Sequence, residues 1–262
     1  MSRSASATAI RHFHHLSDSD QDRLFFRAPE ELPADADREL LAVGLGATLY
    51  IPADRPDLAA TVTRRASEGI CSMVLDLEDA VDDMHADAAM HNVVTALDEL
   101  AADPLATMVF VRVRSYDCIP QIADRLTVGA HALAGFVIPK FEADTGARYL
   151  RQTEDAASAL SRHLYCMPVL ESERILFQET RDAELTALVD LLDEHRQTVL
   201  AVRVGATDMC GSLGIRRDRD HTIYDVKVVA DVLAAIINRF GRPDGTGFVV
   251  TAPVWEYFAD HE

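Results

Sequence analysis

Seven short apolar runs alternate with amphipathic stretches along this 262-residue chain, and that alternation limits its fold more than any other feature. The runs cover 47–53, 72–79, 108–114, 135–141, 164–171, 200–208 and 247–255. The stretches between them cover 56–69, 85–102, 119–130, 144–163, 174–195 and 223–240. In the second stretch Ala89, Val93, Ala96, Leu97 and Leu100 recur at steps of three and four, which lines one face of a helix. Near-continuous apolar strands alternating with helices predict parallel strands buried on both faces. The predicted class is α/β, a TIM-type (β/α)8 barrel rather than an open doubly wound sheet. No GxGxxG follows the first run and no GxxxxGK[ST] occurs, which argues against dinucleotide and P-loop folds.

The predicted organisation is an N-terminal extension, residues 1–40, packed on a barrel domain of residues 41–262. Within the extension, Leu24–Phe26 reads as the anchor and 35–45 as a helix. His12, His14 and His15 lack further placed ligands, so solvated or packing roles are expected of them. A hydrophobic content of 48% supplies a core for one barrel of this length. The 43 acidic residues outnumber the 25 Lys and Arg, so the basic footprint of a nucleic-acid binder is absent. Cys71, Cys118, Cys166 and Cys210 form no CxxC pair and read as reduced, buried thiols. With no membrane-length apolar run and no apolar leader, a cytoplasmic protein without a membrane partner is the expectation.

In a barrel of this type the chemistry sits at the C-terminal ends of the strands. Those ends carry Asp54 and Arg55, then Asp76, Glu78 and Asp79, then Arg112 and Arg114, then Lys140, Glu171, Asp208, and Trp255 with Glu256. Glu171 and Asp208 are expected at the ends of neighbouring strands, as two hard oxygen ligands suited to Mg²⁺. Each acid alone also reads as a strand-end charge facing solvent. Asp54 and Pro56 fit a helix cap and first-turn proline. Asp76 and Glu78 share a strand face, as do Arg112 and Arg114. A guanidinium fork suits a substrate carboxylate, and pairing with the nearby acids is the structural alternative. Lys140 reads as a charge-balancing group, or as a Schiff-base lysine. The segment 211–214, Gly-Ser-Leu-Gly, reads as a tight loop over which a ligand approaches backbone.

Six ordered motifs carry a resemblance. They are Tyr50-Ile-Pro-Ala-Asp-Arg-Pro56, Val74-Leu-Asp-Leu-Glu-Asp-Ala-Val81, Val111-Arg-Val113, Ile138-Pro-Lys140, Val169-Leu-Glu171 and Gly205-Ala-Thr-Asp208. Together they resemble the citrate lyase β-subunit / HpcH–HpaI aldolase superfamily. The segments 211–220, 222–226 and 245–257 are similar to its C–C bond lyase-like branch associated with tellurium-resistance gene clusters. The resemblance implies a Mg²⁺-dependent lyase or synthase for 2-oxo or hydroxy acids, often as coenzyme A thioesters, in a homo-oligomer that is a trimer or a multiple of one.

By the same resemblance Glu171 and Asp208 match the metal carboxylates. Arg112 matches the substrate-carboxylate arginine, and Arg55 a second anion-binding arginine. Asp76, Glu78 and Asp79 match the acids that order metal-bound water and the arginines. Arg112, Asp76 and Glu78 are the expected catalytic residues. Arg55, Arg112, Arg114, Asp79 and Lys140 are the expected substrate-binding residues. Asp76, a metal-bound hydroxide or a neighbouring subunit would supply the base. Two departures stand out. Arg114 replaces a usual Asn, and the GKxxIHPxQ-type eighth strand is missing from this chain. A short natural form, a fragment or completion by another chain would each explain the latter. A non-catalytic barrel that binds small acids or partners, and an aldolase for free 2-oxo acids, are the alternative functions.

Overall fold

The structure, a computed structural model, describes residues 9–33 and 35–254. In chain order its elements are α1 (Asp18–Leu24), α2 (Arg38–Gly44), β1 (Leu49–Pro52), α3 (Leu58–Ser67), β2 (Ser72–Asp76), α4 (Ala86–Ala102), β3 (Met108–Arg112) and α5 (Cys118–Arg125). There follow β4 (Leu133–Ile138), α6 (Ala143–Ala159), β5 (Tyr165–Leu170), α7 (Glu173–Leu176), α8 (Gln178–Glu194), β6 (Arg203–Val204), α9 (Ala206–Ser212) and α10 (Lys227–Phe240). The strand–helix alternation expected from the apolar runs is present. The chain divides into two compact units, one reaching to Val137 and including Gln152–Tyr165, the other made of Ile138–Arg151 and the residues from Cys166 on.

In the first unit β1, β2, β3 and β4 pair in parallel and in chain order. Met73, Val74 and Leu75 are all fully buried. Successive side chains leave a strand on opposite faces, so both faces of β2 are covered. Each such side chain contributes about 1.5–3 kcal/mol. α4 buries Ala89, Val93, Ala96, Leu97 and Leu100, the face that the periodicity picks out, together with Met90 and Val94. The register sets Pro52 beside Asp76 and Asp76 beside Arg112, so the polar strand ends lie side by side.

The N-terminal segment departs from the sequence reading in two places. A helix, α1, forms where irregular chain was expected, because Ser17 caps it and Asp18 and Asp20 fall in its first turn. Of the expected anchor only Phe25 packs, 5.0 Å from Phe13 between ring centroids, while Leu24 and Phe26 are exposed. The histidines go to separate partners. His12 Nε2 bonds Gly44 O and His14 Nδ1 bonds Arg11 O, each at 2.9 Å.

In the second unit β5 and β6 pair in parallel through Val169–Arg203 and Leu170–Val204. The expected sixth strand is cut short at Val204, because Gly205 leaves the extended conformation and starts α9. The expected seventh strand reduces, among the described residues, to one bridge between Val202 and Val250. Trp255 and Glu256 lie outside the described residues. The single helix expected over 174–195 is broken at Phe177, whose backbone is extended. Arg181, only 8% exposed, explains the break. Its Nε donates to Ile175 O and its Nη2 to Leu176 O, each at 2.7 Å, and its Nη1 reaches Asp231 Oδ2 at 2.6 Å. One side chain thus satisfies carbonyls that a continuous helix would have bonded. No helix among the described residues is long and apolar enough to cross a membrane.

Candidate active site

The expected site residues fall into two clusters, one in each unit. Arg112 is the centre of the first. Its Nε and Nη2 form a fork on Asp76, at 2.7 Å to Oδ1 and 2.6 Å to Oδ2. Its Nη1 lies 3.0 Å from Glu78 Oε2 and its Nη2 also lies 3.1 Å from Asp79 Oδ2. The guanidinium carbon stands 5.2 Å from the Tyr50 ring centroid, within cation–π range. The fork follows from the register, which makes Asp76 and Arg112 neighbours at the ends of adjacent strands.

Burial alone would lower the pKa of Arg112, but the hydrogen bonds to Asp76 and the charges of Asp76, Glu78 and Asp79 raise it instead. One cation faces three anions, hydrogen-bonded to Asp76 and within ion-pair distance of Glu78 and Asp79. Asp76 is buried, Glu78 half-buried, and Asp79 the most exposed partner. Asp79, screened by solvent, is therefore the weakest of the three partners. Asp76 has both oxygens in the fork, and Oδ1 also accepts the Glu78 N–H. Both oxygens of Asp76 are thus engaged by fixed donors.

Arg55 and Arg114 turn elsewhere. Arg55 Nε donates to Asp57 Oδ1 at 3.1 Å, and that bond, with one from Thr61, holds the Asp57 carboxyl below its usual range. Asn92 donates to the carbonyls of Ala53 and Arg55 and pins this loop beside a groove of about 560 Å³ lined by Asp54, Pro56, His85, His91 and Thr95. Asp57, not the expected Asp54, occupies the position before α3, and its side chain makes no capping hydrogen bond there. Arg114 binds Asp83 and the Val81 carbonyl, in the loop after β2.

The second cluster joins Glu171, Asp208 and Lys140. Glu171 directly follows β5 and is 5% exposed. Its Oε1 accepts the backbone N–H of Lys140 at 2.8 Å. A Cβ on Gly205 would overlap Glu171 Oε2, so any larger residue there would have to push the carboxylate aside. Asp208 sits three residues later, in the first turn of α9 rather than at a strand end as expected. The N-terminus of a helix favours a carboxylate there. Its Oδ1 lies 3.9 Å from Lys140 Nζ. Lys140 itself has φ 48°, a left-handed conformation that costs a non-glycine residue about 1–2 kcal/mol.

Two hard oxygen donors, one pressed against a glycine, suit Mg²⁺, which takes one or two protein carboxylates and keeps other positions for water and substrate. Among the described residues, no group of three or more His, Cys, Asp or Glu is arranged to hold a metal ion. The expected glycine loop at 211–214 is instead a helix end. Ile215 N–H bonds Cys210 O and Gly214 N–H bonds Gly211 O, the Schellman pattern, with Gly214 at φ 64°.

Sequence reasoning missed Tyr50, Gly205 and Ser172. Tyr50 and Gly205 stood inside quoted motifs but carry no charge to draw attention. Ser172 follows Glu171, is 8% exposed, and its Oγ has no hydrogen-bond partner among the described residues.

Comparison with known proteins gives the family. A citrate lyase subunit beta-like protein of Deinococcus radiodurans is 39% identical over 111 residues, which are 41% of this chain and 37% of that protein. A citrate lyase structure from Burkholderia xenovorans superposes with TM-score 0.57 at 17% identity, over 74% of this chain and 60% of that one. The magnesium/glyoxylate complex of Haloferax volcanii malate synthase gives 0.52 at 16% identity, over 65% of this chain and 54% of that one. At such identities the two structures speak for the fold alone, and the matched region spans little more than a third of the curated relative. The model of the C–C bond lyase family of the TIM-barrel fold matches residues 39–262, and the chain belongs to that family.

Proposed function

We propose that the chain is a Mg²⁺-dependent carbon–carbon lyase or synthase that acts on a 2-oxo or hydroxy acid, with a coenzyme A thioester as one form of that substrate. The observation that carries this reading is the convergence of Glu171 and Asp208 on one residue, Lys140, one through its backbone and the other through its ammonium. Membership of the family supports the reaction class. The magnesium/glyoxylate complex of the malate synthase supports the pairing of metal and 2-oxo acid.

In this reading Glu171 and Asp208 hold the metal. When bound, Mg²⁺ supplies Lewis-acid stabilisation of the oxygen charge that develops as the carbon–carbon bond breaks or forms. Arg112 binds the substrate carboxylate by exchanging Asp79 for it, while Asp76 and Glu78 keep the guanidinium aimed. Asp76 is then a positioning residue rather than the base. Lys140 Nζ, 3.9 Å from Asp208 Oδ1, offers a second cation to the acid.

The test is calorimetric titration with pyruvate, oxaloacetate and glyoxylate, with and without Mg²⁺. Binding should require the metal and vanish in Glu171→Gln. Unchanged binding in that variant would remove the metal assignment. Parallel assays with free acids and with their thioesters separate an aldolase from a thioester lyase.

A further inference from the structure

Along an extended strand, successive N–H groups point to opposite sides. At the end of β4 they do not. Lys140 N–H donates to Glu171 Oε1 at 2.8 Å, and the next N–H, that of Phe141, donates to Val169 O at 3.1 Å. Two consecutive donors reach the same segment, 169–171. Only a departure from extended backbone allows that, and the departure is the left-handed φ of Lys140. Of the two, the Lys140 N–H holds the carboxylate and the Phe141 N–H continues the backbone pairing with Val169.

The held carboxylate has little room to choose another orientation. Oε2 lies over Gly205 where any Cβ would collide, and Glu171 is almost fully buried. Glycine is the usual residue for a left-handed position, and this chain has lysine there. The conformational cost is therefore sustained at a residue whose N–H and Nζ address the two acids separately.

We infer that Lys140 is a positioning residue for Glu171 that acts through its backbone, and that its left-handed conformation, more than its ammonium, sets the affinity of the carboxylate pair for a divalent cation. This rests on the reading of Glu171 and Asp208 as metal ligands. The two contributions separate cleanly by substitution. Lys140→Gly, Lys140→Ala and Lys140→Val all delete Nζ equally. They differ in tolerance of positive φ, which glycine adopts freely, alanine with strain and β-branched valine worst.

The experiment is calorimetric titration of each full-length variant with MgCl₂ alone, beside a thermal melt of the metal-free protein. The affinity should fall in the order Gly, Ala, Val, with about tenfold or more between the extremes. The Gly and Ala variants alone carry the test if the Val variant fails to fold, and about threefold or more should separate them. Equal affinities across the variants that fold, or a reversed order, would overturn the inference and leave the metal site standing. Loss of Mg²⁺ binding in Glu171→Gln supports the site on which the inference depends. Unaltered binding there overturns the site and the inference together.

Discussion

The Arg112 cluster and the Lys140 cluster use the same residue types in opposite ways. Around Arg112 every charge has a close partner, and the arrangement follows from strand register, since Asp76 and Arg112 are paired residues at adjacent strand ends. Around Lys140 the carboxylates meet one backbone N–H and one ammonium at 3.9 Å, and the arrangement depends on a left-handed residue and a missing Cβ. The first is built on one shared cation and follows from the sheet. The second is a cradle built on backbone geometry and holds its carboxylate by shape.

If that contrast is right, removing the cation from the first cluster should do the greatest damage. Arg112→Met leaves a buried Asp76 unpaired beside two further acids, and urea unfolding should show a loss of about 3–5 kcal/mol. A loss under about 1 kcal/mol would mean that the three acids do not depend on the shared cation. Next comes Gly205→Ala, which forces Glu171 aside. A stability loss of about 1–3 kcal/mol is expected, with a marked fall in Mg²⁺ affinity by calorimetry. Retained affinity would show that the cradle tolerates a second carboxylate orientation.

The smallest effect lies on the surface of the second unit. Its hydrogen bond to Asp218, aided by that residue's charge, raises the pKa of His221 above 6.5. The sign follows from linkage. The pair's contribution to stability is complete below pH 6.5 and is lost as pH rises through the raised folded value. An NMR titration should place the His221 midpoint above 6.5, and Asp218→Asn should bring it back down. A midpoint that does not move would show that the pair is not formed in solution.

The sequence made the first cluster easier to read than the second. The apolar runs at 72–79 and 108–114 predicted parallel neighbours, and parallel neighbours place Asp76 and Arg112 together without further information. What the pattern could not supply was the choice among partners. Arg114 goes to Asp83 and Arg55 to Asp57 because short loops bring those acids within reach, and loop reach has no periodicity. In the second cluster the acids were visible as strand-end charges, but Asp208 proved to start a helix. Nothing in Ile-Pro-Lys announces a left-handed lysine, and a glycine within Val-Gly-Ala-Thr-Asp looks like any loop glycine until the carboxylate above it is seen.

Arg181 gives Glu171 a dependence on distant sequence. The guanidinium ties off the carbonyls at the end of α7, a few residues beyond Glu171, and anchors itself on Asp231, an exposed acid on α10. A side chain on the outer surface of a late helix is thus a structural tie for the elbow that follows the candidate ligand. Surface redesign of α10 has to treat Asp231 as part of the framework, even though it stands sixty positions further along the chain than Glu171.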